Sequence, residues 1–449
     1  MIAVDARERK NLTTGAALVD TTPARLNRAL LVTAGIYLAL LPTGWATAAK
    51  SIAFGASAVL ALSVLALSRS GRGELVPSPG AAILTALCLW SGCAAASAAW
   101  SVNLAYTLGE FRHELAWGLL TMAIFYIAAS DREAWRTLVA VVLGSFALLA
   151  LLAAALSASP AGWDPGRWHA GVGAFSTFLV LVAPLLIALL APAPIGFGAG
   201  RQTLAIAGAL LALLLVAARL SDNRMVWIAL AAVFATASTL AALRWRATLA
   251  RAPLRWLAPL VALFLVLGLF FADVAQERAR VNFPAETTMA QAFAEDPRLP
   301  LWDFTAARIR ERPWTGYGFG KSILQDELRL ALHDPFLSHA HNLFASQWLQ
   351  IGVFGLVGFL ALLAALGWRF IGFLRARDDA LALIGLIGLA TLAGFIVKNL
   401  TDDFLVRSNA KEFWAMCAML LGYGIRLERS IGARAAGSPS PQATEVGRS

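Results

Sequence analysis

The residue types best suited to chemistry stand at the end of one polar segment, in the run SHAHN that ends at Asn342. An apolar helix is predicted to begin directly after it, with the spacing His341-Asn342-x9-Gly352-x2-Gly355. A neutral histidine near a bound phosphate can accept a proton from a hydroxyl, and the positive end of a helix dipole favours the neutral form. A lone loop histidine is more often a surface residue, so His341 is the leading candidate only because of these neighbours, with His339 beside it.

The polar segment as a whole runs from Phe271 to Asn342 and holds eight Arg or Lys and three His. Within it, Arg298 leads into a predicted amphipathic helix over about 301–310. A turn-rich stretch, 313–320, follows; its GxGxG pattern is a weak phosphate-loop signal, and we interpret the stretch as a tight loop against the bilayer. Gly352 and Gly355 are predicted to share a helix face and to allow close packing of a neighbouring helix.

Composition sets the class of protein that must position these residues. Only 14% of residues are charged and 59% are hydrophobic, and apolar runs of membrane-spanning length recur along the chain. The pattern predicts an all-α polytopic membrane protein with about twelve transmembrane helices. They are placed near 29–44, 50–68, 81–99, 114–130, 137–157, 173–192, 203–219, 225–243, 257–272, 343–368, 381–398 and 412–426.

The basic residues of the short loops predict how the chain is oriented, because cytoplasmic loops are enriched in Arg and Lys. Their alternation places both termini in the cytoplasm and the large polar loop outside. The predicted divisions are a cytoplasmic segment 1–28, transmembrane helices 1–9 over 29–272, a periplasmic loop with catalytic elements and short helices over 273–342, transmembrane helices 10–12 over 343–426, and a disordered cytoplasmic tail 427–449.

The outer loops also contain many arginines, whose planar guanidinium suits bidentate binding of phosphate or pyrophosphate. An outward basic cavity beside the membrane favours an anionic lipid-linked ligand over nucleic acid. Arg224 stands at the mouth of a span, where it could equally snorkel to headgroups or pair with Asp222. Asp402 and Asp403 make a poor metal site, since adjacent carboxylates bind weakly, and an ion pair with an outer arginine is the expected role.

These motifs carry a family resemblance. The long outer loop ending in His341-Asn342-x9-Gly352-x2-Gly355 resembles the signature of bacterial O-antigen ligases. The span mouth at Arg224 and the pattern Arg298-x3-Trp302…Pro313-x2-Gly316-x-Gly318 resemble the wider ligase/polymerase superfamily.

The resemblance implies a GT-C-type glycosyltransferase of the bacterial inner membrane with its active site facing the periplasm. Such enzymes transfer O-antigen polysaccharide from undecaprenyl pyrophosphate to a sugar hydroxyl of lipid A-core in lipopolysaccharide biosynthesis. The implied catalytic residues are His341 as general base, with Arg224 and Arg298 on the pyrophosphate in place of a metal. We expect no cofactor, metal, nucleotide or nucleic acid. The implied substrate-binding residues are His339, Asn342, Arg219, Lys321, Asp402, Asp403 and Arg407.

Two alternative functions stay open from the sequence. An O-antigen polymerase or a protein O-oligosaccharyltransferase would use the same class of donor. A transporter or flippase of an anionic lipid belongs to a different class, and it predicts charged or broken helices at the bilayer midplane, which the sequence does not suggest.

Overall fold

The fold is a bundle of long helices, seen in a computed structural model that describes residues 21–71, 76–190, 200–250, 253–282 and 298–436. Within these residues the regular structure is entirely helical. The long helices are α1 (Thr21–Leu40), α2 (Thr47–Arg69), α3 (Ala81–Ala96), α4 (104–128), α5 (Arg132–Ser157), α6 (Val172–Leu190), α7 (Arg201–Leu220), α8 (Arg224–Arg244), α9 (Pro253–Asn282), α12 (Leu343–Leu374), α13 (Asp379–Lys398) and α14 (Arg407–Ala435). Two shorter helices, α10 (Arg298–Glu311) and α11 (Gln325–Leu332), lie between α9 and α12.

Nine helices among the described residues are long and apolar enough to cross a membrane. The chain is therefore an all-α, multi-pass membrane protein, as the composition predicted. The remaining long helices, α1, α4 and α14, also occupy predicted spans.

Several helices extend beyond the limits read from hydropathy. Helix α9 continues to Asn282, ten residues past the predicted span end at 272, and α14 continues to Ala435 inside the predicted tail. Backbone hydrogen bonding does not need apolar side chains, so a helix continues where the polar sequence has left the hydrocarbon region. Residues 1–20 and 437–449, which cover most of the predicted terminal segments, lie outside the described residues.

Helix α13 is largely enclosed by other helices, and glycines let its neighbours approach it. Gly385 and Gly388 lie against Phe370 of α12, and Gly394 lies against Val233 of α8. Small residues at such contacts allow close packing where no hydrophobic driving force acts between helices in lipid. Helix α13 is thereby held between α8 and α12.

Helix α12 is broken at Gly352, which corrects the prediction that Gly352 and Gly355 share one regular helix face. Gly352 has φ 70° and ψ −177°, a conformation that is essentially restricted to glycine. A side chain there would meet the backbone of Trp314. A Cβ on Gly355 would meet Ile351 of its own helix rather than another helix. The glycine at position 352 therefore allows a break in the helix.

The stretch 313–320 fills that break, a contact with α12 that the sequence did not suggest. The amides of Tyr317 and Gly318 donate to the carbonyls of Leu349 (3.0 Å) and Gln350 (2.9 Å), which the break leaves free. In return the amide of Val353 donates to the carbonyl of Pro313 (2.9 Å). Backbone groups freed in a membrane helix are thus satisfied by another segment of protein.

Candidate functional site

The SHAHN run is tied to the loop between α13 and α14. The side-chain oxygen of Asn342 accepts from the amide of Ala345 (2.9 Å) and caps α12, while its amide group donates to the carbonyl of Leu400 (2.8 Å). The amide of Leu343 donates to the carbonyl of Asn399 (3.0 Å). Asn342 was predicted to bind substrate; in the structure its oxygen caps α12 and its amide group ties the run to the loop after α13.

His341 lies against a buried carboxylate. Its Nδ1 is 3.6 Å from Oδ1 of Asp402, and its side chain is 30% exposed whereas that of Asp402 is 7% exposed. The ammonium of Lys398, fully buried at the end of α13, donates to Oδ2 of the same carboxylate. Lys398, Asp402 and His341 therefore form a continuous polar chain that leads from the interior to an accessible imidazole.

Asp402 is paired with Lys398, where the sequence predicted an outer arginine, and the charge of one outer arginine, Arg298, also acts on this carboxyl. Burial acts to raise the pKa of Asp402, but Lys398, His341 and Arg298 outweigh it and bring the pKa to about 2. The carboxyl is therefore ionised behind His341. Lys398 was not singled out from the sequence, although a lysine that ends an apolar span four residues before an aspartate is a readable signal.

His339 lies beside His341, with ring centroids 4.0 Å apart, and its Nδ1 is 2.9 Å from the hydroxyl of Ser338. Burial, with the nearby charges of Lys321 and His341, lowers the pKa of His339 to about 2. His339 is therefore neutral, and it is held within the site rather than at its surface.

Arg298 and Arg224 both lie at the end of the bundle that carries α10, α11 and the SHAHN run. The charge of Arg298 acts on both Lys398 and Asp402, so it lies beside the polar chain. Trp302, one turn later in α10, donates from its indole to the carbonyl of Ala340 (3.1 Å). This bond docks α10 on the histidines.

Arg224 is the first residue of α8, and Asn223 caps the helix there by accepting from the amide of Met225 (2.9 Å). Helix α8 runs antiparallel to α13: its far end, at Arg244, bonds to Asp379 at the start of α13 (3.0 Å). Arg224 therefore lies at the same end of the bundle as Lys398.

Arg219, by contrast, is committed to carboxylates on a neighbouring helix. Its guanidinium lies 3.1 Å from Asp273 and 2.8 Å from Glu277, and these pairs join α7 to α9. To bind substrate as predicted, the guanidinium of Arg219 would have to exchange its contacts with both carboxylates for contacts with the substrate.

Arg407 lies in a second polar cluster, formed with two acidic residues of α4. Its Nη2 is 2.9 Å from Glu110 and its Nε is 3.3 Å from Glu114, and both carboxylates are nearly buried. The sequence did not suggest either glutamate as a partner, because almost 300 residues separate them from Arg407.

Lys321 and Asp403 stand between the two clusters. The Nζ of Lys321 donates to the backbone carbonyl of Asp403 (3.3 Å) and lies 5.7 Å from the ring centroid of Phe404. The Nζ of Lys398 lies 5.0 Å from the same centroid. Burial raises the pKa of Asp403, against the opposing charge of Lys321.

Several buried polar atoms without a hydrogen-bond partner lie here. Among the described residues, they include His339 Nε2, Thr401 Oγ1 and Asp403 Oδ2, while His341 Nδ1 has the Asp402 carboxylate 3.6 Å away. Buried polar groups are nearly always satisfied in proteins, so a cluster of unsatisfied ones points to a site that completes its bonds with a ligand or water.

The fold and this site define a multi-pass membrane protein with a basic, histidine-containing site built from loops at one end of its bundle. Residues 209–360 match the family model described as O-Antigen ligase, and this segment contains Arg224, Arg298 and His341. This match supports membership of the O-antigen ligase superfamily and, in general terms, a function of the ligase/polymerase type. No curated protein matches the chain.

Proposed function

We propose that the protein is an O-antigen ligase. It transfers polysaccharide from undecaprenyl pyrophosphate to a sugar hydroxyl of lipid A-core, at the periplasmic face of the inner membrane. The observation that carries this proposal is the Lys398–Asp402–His341 chain with Arg298 beside it. It combines an oriented base with cationic groups suited to a phosphate leaving group.

His341 is the general base in this proposal. Asp402 faces Nδ1, so it favours the tautomer that carries its proton there and leaves Nε2 free to accept a proton. Nε2 takes the proton of the acceptor hydroxyl as its oxygen attacks the anomeric carbon. The bond from that carbon to the pyrophosphate breaks in the same inverting step, and the proton later passes from His341 to solvent.

Arg298 and Arg224 neutralise the negative charge that develops on the leaving undecaprenyl pyrophosphate. Preorganised cations at the position where charge develops lower the barrier without reorganisation during the reaction. With two guanidinium groups in this role, we expect that the transfer needs no divalent metal.

The proposal is tested by lipopolysaccharide profiles of a ligase-null host that expresses single variants. We expect the wild-type chain to restore the O-antigen ladder and His341→Ala, Arg298→Ala and Arg224→Ala to lose it. Arg112→Ala is the control, because that exposed arginine contacts only the neighbouring His113 in the described structure. Normal ladders from all three site variants would refute these roles, and loss of wild-type transfer in EDTA would refute the metal-free step.

The same host separates the ligase from its relatives. A ligase-null host accumulates long lipid-linked polymer, which the wild-type chain should move onto lipid A-core. If the chain instead lengthens single repeat units on the lipid carrier, it is a polymerase. If it modifies protein, it is a protein glycosylating enzyme.

A further inference from the structure

A cavity of about 210 Å³ that is partly open to solvent adjoins the histidine site and has no place in the mechanism above. It lies between the start of α4, the loop before α6 and the start of α14. Its walls include Tyr106, Glu110, Ala170, Lys321, Phe404 and Arg407. The volume is below the roughly 300–1,000 Å³ of usual small-molecule sites, so it suits a single small ring rather than a chain of several sugars.

The charge of the cavity argues against a phosphate ligand. Its cation Arg407 is already paired with Glu110 (2.9 Å) and lies 3.3 Å from Glu114. Glu110 itself lines the wall. Its carboxylate charge would repel an anion, and its oxygens would accept hydrogen bonds from hydroxyl groups. The ammonium of Lys321 is partly satisfied by the carbonyl of Asp403.

The other walls suit a hydroxylated ring. The cavity has two aromatic side chains, Tyr106 and Phe404, and the hydroxyls of Ser322 and Ser408. Apolar ring faces with a few placed polar groups are the usual composition of small-molecule sites. Phe404 is held in place because its ring packs directly on the backbone of Gly173, leaving no space for a Cβ there.

The cavity is joined to the proposed base through shared residues. Lys321 lines the cavity, and its charge also acts on His339, whose ring centroid lies 4.0 Å from that of His341. Phe404 lines it too and lies within 5.0 Å of the ammonium of Lys398, measured to the ring centroid. A ring bound here would therefore stand next to the residues that carry out transfer.

We propose that this cavity binds one uncharged sugar ring of the transfer reaction, an inference that rests on the proposed function. The ring has two possible sources with the same chemistry. It is either the sugar of lipid A-core that accepts the polysaccharide, or the first sugar of the donor.

Direct binding tests the proposal with two probes, measured by saturation-transfer NMR on the purified full chain. One probe is the core oligosaccharide released from lipopolysaccharide that lacks O-antigen, and the other is a single released O-antigen repeat unit. Ala170→Trp fills the cavity from its rim and removes no polar contact. Ala161→Trp is the matched control, an exposed alanine of the same loop outside the cavity.

We expect Ala170→Trp to abolish binding of one probe and Ala161→Trp to bind it as wild type does. Glu110→Gln, which keeps the shape of the side chain, should weaken the same probe by about tenfold or more through loss of a charge-assisted hydrogen bond. The probe whose binding is lost identifies the source of the ring. Loss of the core oligosaccharide means that the cavity binds the acceptor sugar, and loss of the repeat unit means that it binds the donor sugar.

Two results would overturn the proposal: neither probe binds wild type, or both bind Ala170→Trp and Glu110→Gln as well as wild type. Glycan transfer by the same preparations separates this failure from failure of the proposed function. Active wild-type protein with unaltered binding in both variants refutes the cavity alone. Wild-type protein that binds a probe but transfers nothing refutes the ligase assignment alone.

Discussion

At the scale of single residues, the two neighbouring histidines differ in their surroundings although the sequence presents them as a pair. His341 is accessible and faces an ionised carboxylate, whereas His339 is enclosed and neutral. The spacing to Asn342 and Gly352 pointed to His341, and its contact with Asp402 gives that choice a physical reason. The sequence could not distinguish Asp402 from Asp403, because the two are adjacent. Only the conformation of the folded loop determines which carboxyl group faces the imidazole.

The neutrality of His339 predicts a pH dependence of stability. An unfolded histidine takes up a proton as the pH falls below about 6.5, whereas the folded pKa of His339 is about 2. The unfolded state then binds more protons, so the protein loses stability as pH falls through this window. We expect His339→Gln to lose less stability than wild type between pH 7 and 5, measured by thermal unfolding in detergent. Parallel losses in both proteins would contradict the burial of a neutral His339.

The buried pair of Lys398 and Asp402 predicts a double-variant rescue. Lys398→Met leaves a buried carboxylate without its cation and should cost about 3–5 kcal/mol of stability. Lys398→Met with Asp402→Asn removes both charges and should recover most of that loss in chemical unfolding experiments. Its transferase activity should stay low, because His341 lacks the carboxylate that orients it. A double variant as unstable as Lys398→Met would mean that the charges do not form a pair.

At the scale of elements, the site depends on an interruption in α12. The stretch 313–320 supplies backbone hydrogen bonds to carbonyls that the break at Gly352 leaves free. It also carries Lys321 toward Asp403 at its C-terminal side. The break thus fixes the position of one wall of the site relative to the histidines at the start of the same helix.

The existence of these helices was predictable from apolar runs, and the short helix α10 was predicted nearly to its limits. The break was not, because glycines are common in membrane helices and a positive φ leaves no mark in hydropathy. Its signal was the pairing of two glycine motifs, Pro313-x2-Gly316-x-Gly318 and Gly352-x2-Gly355, which the structure places against each other.

Gly352→Ala tests the break. The positive φ and the nearby backbone of Trp314 should make this change cost more than about 2 kcal/mol. Gly372→Ala is the matched control in the same helix, since a Cβ there meets open space and alanine favours the helix. We expect the apparent melting temperature to fall only for Gly352→Ala. Equal melting temperatures would show that α12 tolerates a regular conformation at Gly352.

At the scale of the whole molecule, the site is assembled from segments far apart in the chain. Residues of α10, the SHAHN run and the loop after α13 contact one another, and α8 brings Arg224 to the same end. The motifs in the sequence pointed to His341, Arg298 and Arg224 as candidates. It could not show that Arg407 and Arg219 are committed to carboxylates, because those pairs depend on helix neighbours.

The predicted orientation places this end of the bundle in the periplasm, and cysteine labelling tests it. The test uses a chain whose three native cysteines are replaced by alanine. Into it is introduced Phe336→Cys, at a position between α11 and α12 where the native residue is 90% exposed. A membrane-impermeant maleimide should label it in intact spheroplasts. Arg377→Cys, exposed at the opposite end between α12 and α13, should be labelled only after lysis. The reverse pattern would invert the topology.

The central claim is that His341 removes the proton of the acceptor hydroxyl. The most direct test is the rate at which purified protein forms the ligated product. The protein is supplied with lipid-linked polysaccharide and lipid A-core in detergent. The account predicts that His341→Ala lowers kcat by about 10²–10⁴-fold, the contribution of a general base, while the donor still binds. A His341→Ala protein that folds and transfers at the wild-type rate would contradict it.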